Sequence, residues 1–189
     1  MQEHPLIELY ITIEDEQQSA LIEQQLSAVD LDAIVLRSLE SAGITKEVML
    51  TLMITDDAGI REMNKQYREQ DKATDVLSFP LLESPLAEAP ADQLWQPQEN
   101  VEGEAEIEID NPAFVNPPGM VTNLGDIVIS WPRIVQQAGE NGHDALTELL
   151  YLLSHGVLHL VGYDDQTEVG YETMVQKQNA VLQACGYKA

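Results

Sequence analysis

His155 and His159 stand four residues apart in the run His155-Gly156-Val157-Leu158-His159-Leu160-Val161-Gly162-Tyr163-Asp164-Asp165, and they are two of only four histidines in the chain. On a helix their imidazoles share one face about 5–6 Å apart, a spacing that lets both grip one metal ion. Gly162 comes three residues after His159, where the chain must turn sharply off the helix, and Asp165 comes six after. The spacing H-x-x-x-H-x-x-G-x-x-D matches the frame in which metzincin sites bring a third ligand back after a glycine turn. Carboxylate oxygen is an acceptable third zinc ligand, and three protein ligands leave a fourth position for water. Other readings of these residues stay open. Both histidines could be buried, neutral and satisfied by backbone carbonyls. Asp165-x-x-Glu168 also reads as a capping box opening the next helix, and Asp164 could be the ligand in its place. Zincin proteases carry a glutamate general base directly after the first histidine. Here that position is Gly156, which disfavours peptide hydrolysis of that kind and sends the search for charge-stabilising groups elsewhere.

The best donor lies upstream. Arg61, Lys65, Arg68 and Lys72 put four of the nine basic residues within twelve positions. An arginine binds phosphate through two parallel hydrogen bonds and stabilises charge developing on it, a role open to Arg68. Its plainer reading is a helix-end residue that engages terminal carbonyls, Glu69 or Asp71. Thr74 and Asp75 read most simply as turn and strand-entry residues. Asp126 reads as a strand residue aimed at the histidine helix, or as an outer partner for a metal-bound imidazole.

The elements that must position these groups can be read from the patterning. Residues 6–13 are apolar and β-branched and read as a strand. From Ser19 to Ala42 apolar residues recur at helical spacing, and Gly43 stops the segment. A largely buried strand comes next at 47–55. A helix capped by Asp56 or Asp57 runs to about Tyr67. Strands at 75–79 and 125–130 flank a compositionally distinct stretch, with Pro80 closing the first. Pro132 opens a short helix to about Ala138. Asp144 caps an apolar helix from Ala145 to about Leu160, and a last amphipathic helix spans about 167–184. This order predicts a single α+β domain over residues 1–189, with one small mixed sheet packed with helices and the metal site on the central helix.

Between Leu81 and Asn123 lie nine acidic residues, six prolines and no Lys or Arg. So few apolar groups cannot offset ordering entropy, so the stretch is expected to be a mobile or partly ordered acidic insertion. A lid or docking arm around Leu94-Trp95 is the alternative. The chain has 189 residues, 33 Asp+Glu against nine Lys+Arg and a net charge of −24. That balance disfavours broad nucleic-acid binding by phosphate neutralisation, and DNA is not expected as a partner. It equally disfavours docking on an anionic membrane, and no apolar run approaches the length of a membrane span. One cysteine, Cys185, excludes an intramolecular disulfide and a multi-cysteine metal cage. A cytoplasmic setting is expected.

Three stretches together carry a resemblance: YRxxDxxTDVLSFP at Tyr67–Pro80, LGDIVIS at Leu124–Ser130 and HGVLHLVGYDD at His155–Asp165. In this order they resemble the YbeY family, bacterial metal-dependent endoribonucleases of ribosomal RNA maturation. The resemblance covers about Asp57 to Gly186 apart from the insertion. It implies a small α+β fold, one divalent metal ion of zinc type at His155, His159 and the position of Asp165, and a functional arginine matching Arg68. The implied partners are an rRNA precursor and the small ribosomal subunit or its proteins, with cleavage of single-strand-type RNA. The family normally carries histidine where this chain has Asp165, which leaves metal identity and the acidity of a coordinated water open. The competing readings are an assembly factor with a mainly structural metal site, and a metal-dependent protease.

Overall fold

The computed structural model describes residues 7–82, 84–96 and 121–187. β-branched and long apolar residues alternate along β2 (Val48–Thr55) and β4 (Thr122–Ser130), and these two strands form the centre of a four-stranded sheet. The order is β1-β2-β4-β3, with β1 (Ile7–Thr12) parallel to β2 and β2 parallel to β4. β3 (Val76–Pro80) runs antiparallel to β4 on the outside, the edge position at which Pro80 withholds no ladder donor the sheet needs. The sheet is mixed, as the order of elements predicts.

Each face of the sheet has its own apolar layer. Leu50, Leu52, Ile54, Ile127 and Ile129 belong to the main core, together with buried residues of α1 (Glu16–Ser27), α2 (Leu31–Ser41), α5 (Ala145–Val161) and α6 (Glu168–Ala184). The alternate positions Leu77 and Val128 pack with Ile60 of α3 (Asp57–Arg68) in a smaller cluster. α4 (Trp131–Asn141) comes directly after β4 and places Trp131 and Ile134 in the main core. The segment expected to be helical from Ser19 to Ala42 is in fact two helices. Asp15 caps the first through Gln17 and Gln18, and Asp30 restarts the second by accepting from Ala33 N–H. A capping aspartate inside an otherwise periodic run separates two helices that periodicity alone merges.

α5 is buried along most of its length and lies over β3 and β4. Its approach depends on Gly156, where an added Cβ would stand 2.8 Å from Ile127 Cδ1. Of the acidic stretch, residues 84–96 pack on the end of α5, with Ala87 buried and a short 3-10 turn at Ala91–Gln93. The rest of the expected insertion, 97–120, lies outside the described residues, and β4 begins at Thr122. Among the described residues no helix is long and apolar enough to cross a membrane.

Two glycines separate strain from propensity. Gly125 has φ 128°, and a Cβ there would meet Phe79 O at 2.2 Å, whereas a Cβ on Gly139 in α4 meets nothing within 4 Å. Gly125→Ala is expected to lower stability by about 2 kcal/mol or more through backbone strain and steric overlap. Gly139→Ala is expected to raise it by up to about 1 kcal/mol through helix propensity. Urea unfolding midpoints of the two variants check the opposite signs.

Candidate active site

The seating of α5 decides which way the histidines face. Gly156 packs against Ile127 of the sheet, while His155 and His159 face the open side of α5. Both line a cavity of about 440 Å³ together with Arg68, Asp165, Glu148 and Tyr151. A glutamate at position 156 would be driven into the core rather than into this cavity.

Each imidazole is held by its Nδ1. His159 Nδ1 lies 3.0 Å from Tyr163 O, a carbonyl that only accepts, so Nδ1 carries the proton. Gln178 Nε2 donates to Tyr151 O at 3.2 Å, which fixes the amide and presents its Oε1 to His155 Nδ1 at 3.4 Å. In the neutral tautomers both Nε2 atoms are therefore lone-pair donors, the arrangement a metal-binding histidine needs. Burial holds the His159 pKa below its ordinary 6.5, a shift opposed by Asp165 and reinforced by His155 and Arg68.

Asp165 reaches the same space. Its Oδ2 is 3.5 Å from His155 Nε2, and this contact, ahead of nearby positive charge, lowers the Asp165 pKa against the opposing effect of burial. Two ligands at about 2.0–2.1 Å from a tetrahedral ion stand about 3.4 Å apart, so the pair is spaced to share one. As a hydrogen bond, the contact requires a proton on His155 Nε2; where the proton sits on Nδ1 instead, carboxylate and imidazole turn lone pairs toward each other, and a cation between them would relieve the repulsion. Among the described residues no three His, Cys, Asp or Glu side chains close into a complete ligand set; the His155–Asp165 pair is the part already in register. The capping-box reading of Asp165 does not hold, because Thr167 caps α6 by accepting from Gly170 N–H. That leaves the Asp165 carboxylate free to face His155. Asp164 instead accepts from Gln166 N–H.

Arg68 arrives from the opposite wall. α3 ends in a left-handed turn at Glu69, φ 58°, and the buried Asn64 side chain donates to Lys72 O, folding the loop back toward β3. Arg68 Nη2 then donates to Ser78 O at 2.8 Å, with the guanidinium 5.8 Å from the Phe79 ring centroid. It pairs with neither Glu69 nor Asp71, since Asp71 is taken by Arg61 at 2.7 Å. Asp75 lines the cavity while its carboxylate holds Val76 N–H and Gln137 Nε2. Asp126 is exposed, on the side of β4 opposite Ile127, and supports no imidazole; strand alternation turns it away from α5. The supporting roles fall to Gln178 and the Tyr163 carbonyl. Gln178 was legible only as one polar residue in the inward stripe Met174, Val181 and Leu182, at 1% exposure.

The family profile of Endoribonuclease YbeY matches residues 12–186. This chain belongs to the YbeY family. Endoribonuclease YbeY of Moorella thermoacetica is 37% identical over 158 residues, covering 84% of this chain and 86% of that one. The Roseiflexus relative of the same name is 37% identical over 169 residues, covering 89% and 84%. That of Desulforamulus reducens is 36% identical over 176 residues, covering 93% and 97%. A solution structure from Thermotoga maritima, 20% identical, matches 95% of this chain and 91% of its own with a TM-score of 0.46. Membership in YbeY bears out the endoribonuclease reading of the sequence over the assembly-factor and protease readings.

The depressed pKa of His159 carries a stability consequence. Between the folded value and 6.5 the unfolded chain binds more protons than the folded one. The contribution is complete above the unfolded value and is lost as pH falls through the folded one. In metal-free protein the melting temperature is expected to drop as pH falls below 6.5, and to drop less in His159→Gln. Imidazole NMR should place the His159 midpoint below 6.5; a midpoint at or above it would contradict the burial argument.

Proposed function

We propose that this protein is a metal-dependent endoribonuclease that cleaves single-strand-type RNA during ribosomal RNA processing, in the cytoplasm, working on or beside the small ribosomal subunit. The observation that carries the reading is the meeting, in one cavity, of the His155–Asp165 pair, the half-buried His159 and the Arg68 guanidinium. YbeY relatives bear the name endoribonuclease, which directs the phosphate-binding geometry to RNA.

His155, His159 and Asp165 would hold one divalent ion, most suitably zinc, whose preference for nitrogen and oxygen donors matches this set. Bound there, the ion supplies Lewis-acid polarisation of a phosphate oxygen. Gln178 and Tyr163 O keep the imidazoles aimed, and burial keeps His159 neutral and ready to donate its lone pair. Asp165 stands where the family normally has histidine, so the site carries one more negative charge than its relatives'. Arg68 commits one of its five N–H donors to Ser78 O. The others bind the scissile phosphate and stabilise the charge that accumulates on its oxygens. Ser78 and Phe79 hold the guanidinium against β3, so this interaction needs no reorganisation when RNA arrives.

Arg68→Ala is expected to slow single-turnover RNA cleavage by about 100-fold or more while the protein keeps its metal. Asp165→Ala is expected to lose the ion. Metal content by mass spectrometry on desalted, untagged proteins, paired with the cleavage assay, checks both. Metal loss in Arg68→Ala would contradict the phosphate role, and a metal-free, inactive wild type would contradict the enzyme reading.

A further inference from the structure

The turn that carries Asp165 is not held by α5 alone. A helix leaves its last carbonyls without intrahelical partners, and here residues 84–96 supply them. Leu86 and Ala87 N–H donate to Val161 O at 2.8 and 2.9 Å, and Trp95 N–H donates to Gly162 O at 2.8 Å. Trp95 Nε1 donates to His159 O at 2.8 Å. The grip is reciprocal, because Asp164 N–H donates to Gln93 O at 2.9 Å and Thr167 Oγ1 to Asp92 O at 3.0 Å. Leu94 and Tyr163 form an antiparallel bridge between these contacts. Pro85 covers Gly162, where a Cβ would meet Pro85 Cβ at 2.5 Å.

We propose that Trp95 is a positioning residue for the metal site, acting through the main chain of the turn between His159 and Asp165. This rests on the metal-dependent reading of the site. Trp95 reaches that turn twice, with its indole on the histidine that opens it and its amide on the glycine that bends it. Tyr163 O, which aims the His159 ring, belongs to the residue bridged to Leu94, and Asp165 stands two residues further on. The acidic stretch thus contributes a clamp that sets the distance between Asp165 and His155, and with it the affinity for the ion.

The test uses full-length, metal-free protein titrated with zinc against a competing chelator, and with cobalt followed by its visible spectrum. Trp95→Phe removes the indole donor and keeps an aromatic ring. It is expected to bind zinc at least about 10-fold more weakly, with an altered cobalt spectrum. Leu26→Ala in α1 is the control for general destabilisation, expected to lower the melting temperature and leave zinc affinity unchanged. A folded Trp95→Phe with wild-type affinity and an unchanged cobalt spectrum would overturn the proposal. Reciprocal linkage gives a second test that needs no variant: zinc must slow hydrogen exchange of the Trp95 indole N–H in wild type, resolved by NMR from that of Trp131. Unchanged exchange upon zinc binding would also overturn it. A wild type that takes up neither zinc nor cobalt would remove the metal reading itself and the positioning role with it.

Discussion

The contact between Gly156 and Ile127 governs where the functional groups of this molecule stand. With no side chain at 156, α5 settles so close to β4 that a Cβ there would stand 2.8 Å from Ile127 Cδ1 and force that side chain to shift. The interior of a protein is packed densely enough that such a contact leaves little freedom of rotation to the helix. Turning residue 156 toward the sheet turns its neighbour His155, and His159 one helical turn on, toward the cavity. The same glycine that removes a protease-type base therefore aims the imidazoles. The missing base and the placement of the imidazoles have a single steric origin.

From that seat outward, the site is assembled by main-chain atoms as much as by side chains. The ring of His159 is aimed by a carbonyl, Arg68 is held by a carbonyl, and the turn to Asp165 is bound on both sides by the backbone of residues 84–96. Such partners cannot adopt other rotamers, so the groups they hold are arranged before any ligand arrives. Gln178 is the side-chain exception, and it is itself tied to Tyr151 O. A buried polar group retains this orientation because leaving its hydrogen bonds unmade in the interior would be costly.

The charge pattern is consistent with an RNA-facing cavity on an otherwise acidic body. Arg61 and Arg133 are paired with Asp71 and Asp57, and Arg37 lies near Glu40. Among the described residues, Lys65, Arg68 and Lys72 form no such ion pair, and all three belong to the end of α3 and the loop beyond it. Lys46 and Lys177 form none either, so three of the five unpaired cations among the described residues lie at this end of α3, and Arg68 of the three lines the cavity. On a strongly negative molecule these cations favour the approach of phosphate at that end.

The amino-acid sequence by itself determined the elements and their type, since these rest on local periodicity and caps: the i, i+4 histidines, the glycine turn, the apolar strands and the mixed α+β order. It also named Arg68 and Asp165, through motifs that bring recognition of the family. It left Asp165 divided between capping and ligation, because its spacing suits both a capping box with Glu168 and a third ligand after His159. Only tertiary structure gives the cap to Thr167 and sets the Asp165 carboxylate beside His155. Asp126 failed for a comparable reason, since motif proximity says nothing of which face of a strand a residue takes. The sequence marks Trp95 as part of a candidate arm, but its hydrogen-bond partner and that of Gln178 were hidden for a different reason. Their partners lie 64 and 23 residues away in sequence, and contacts made across such distances leave no periodic trace in the chain that makes them.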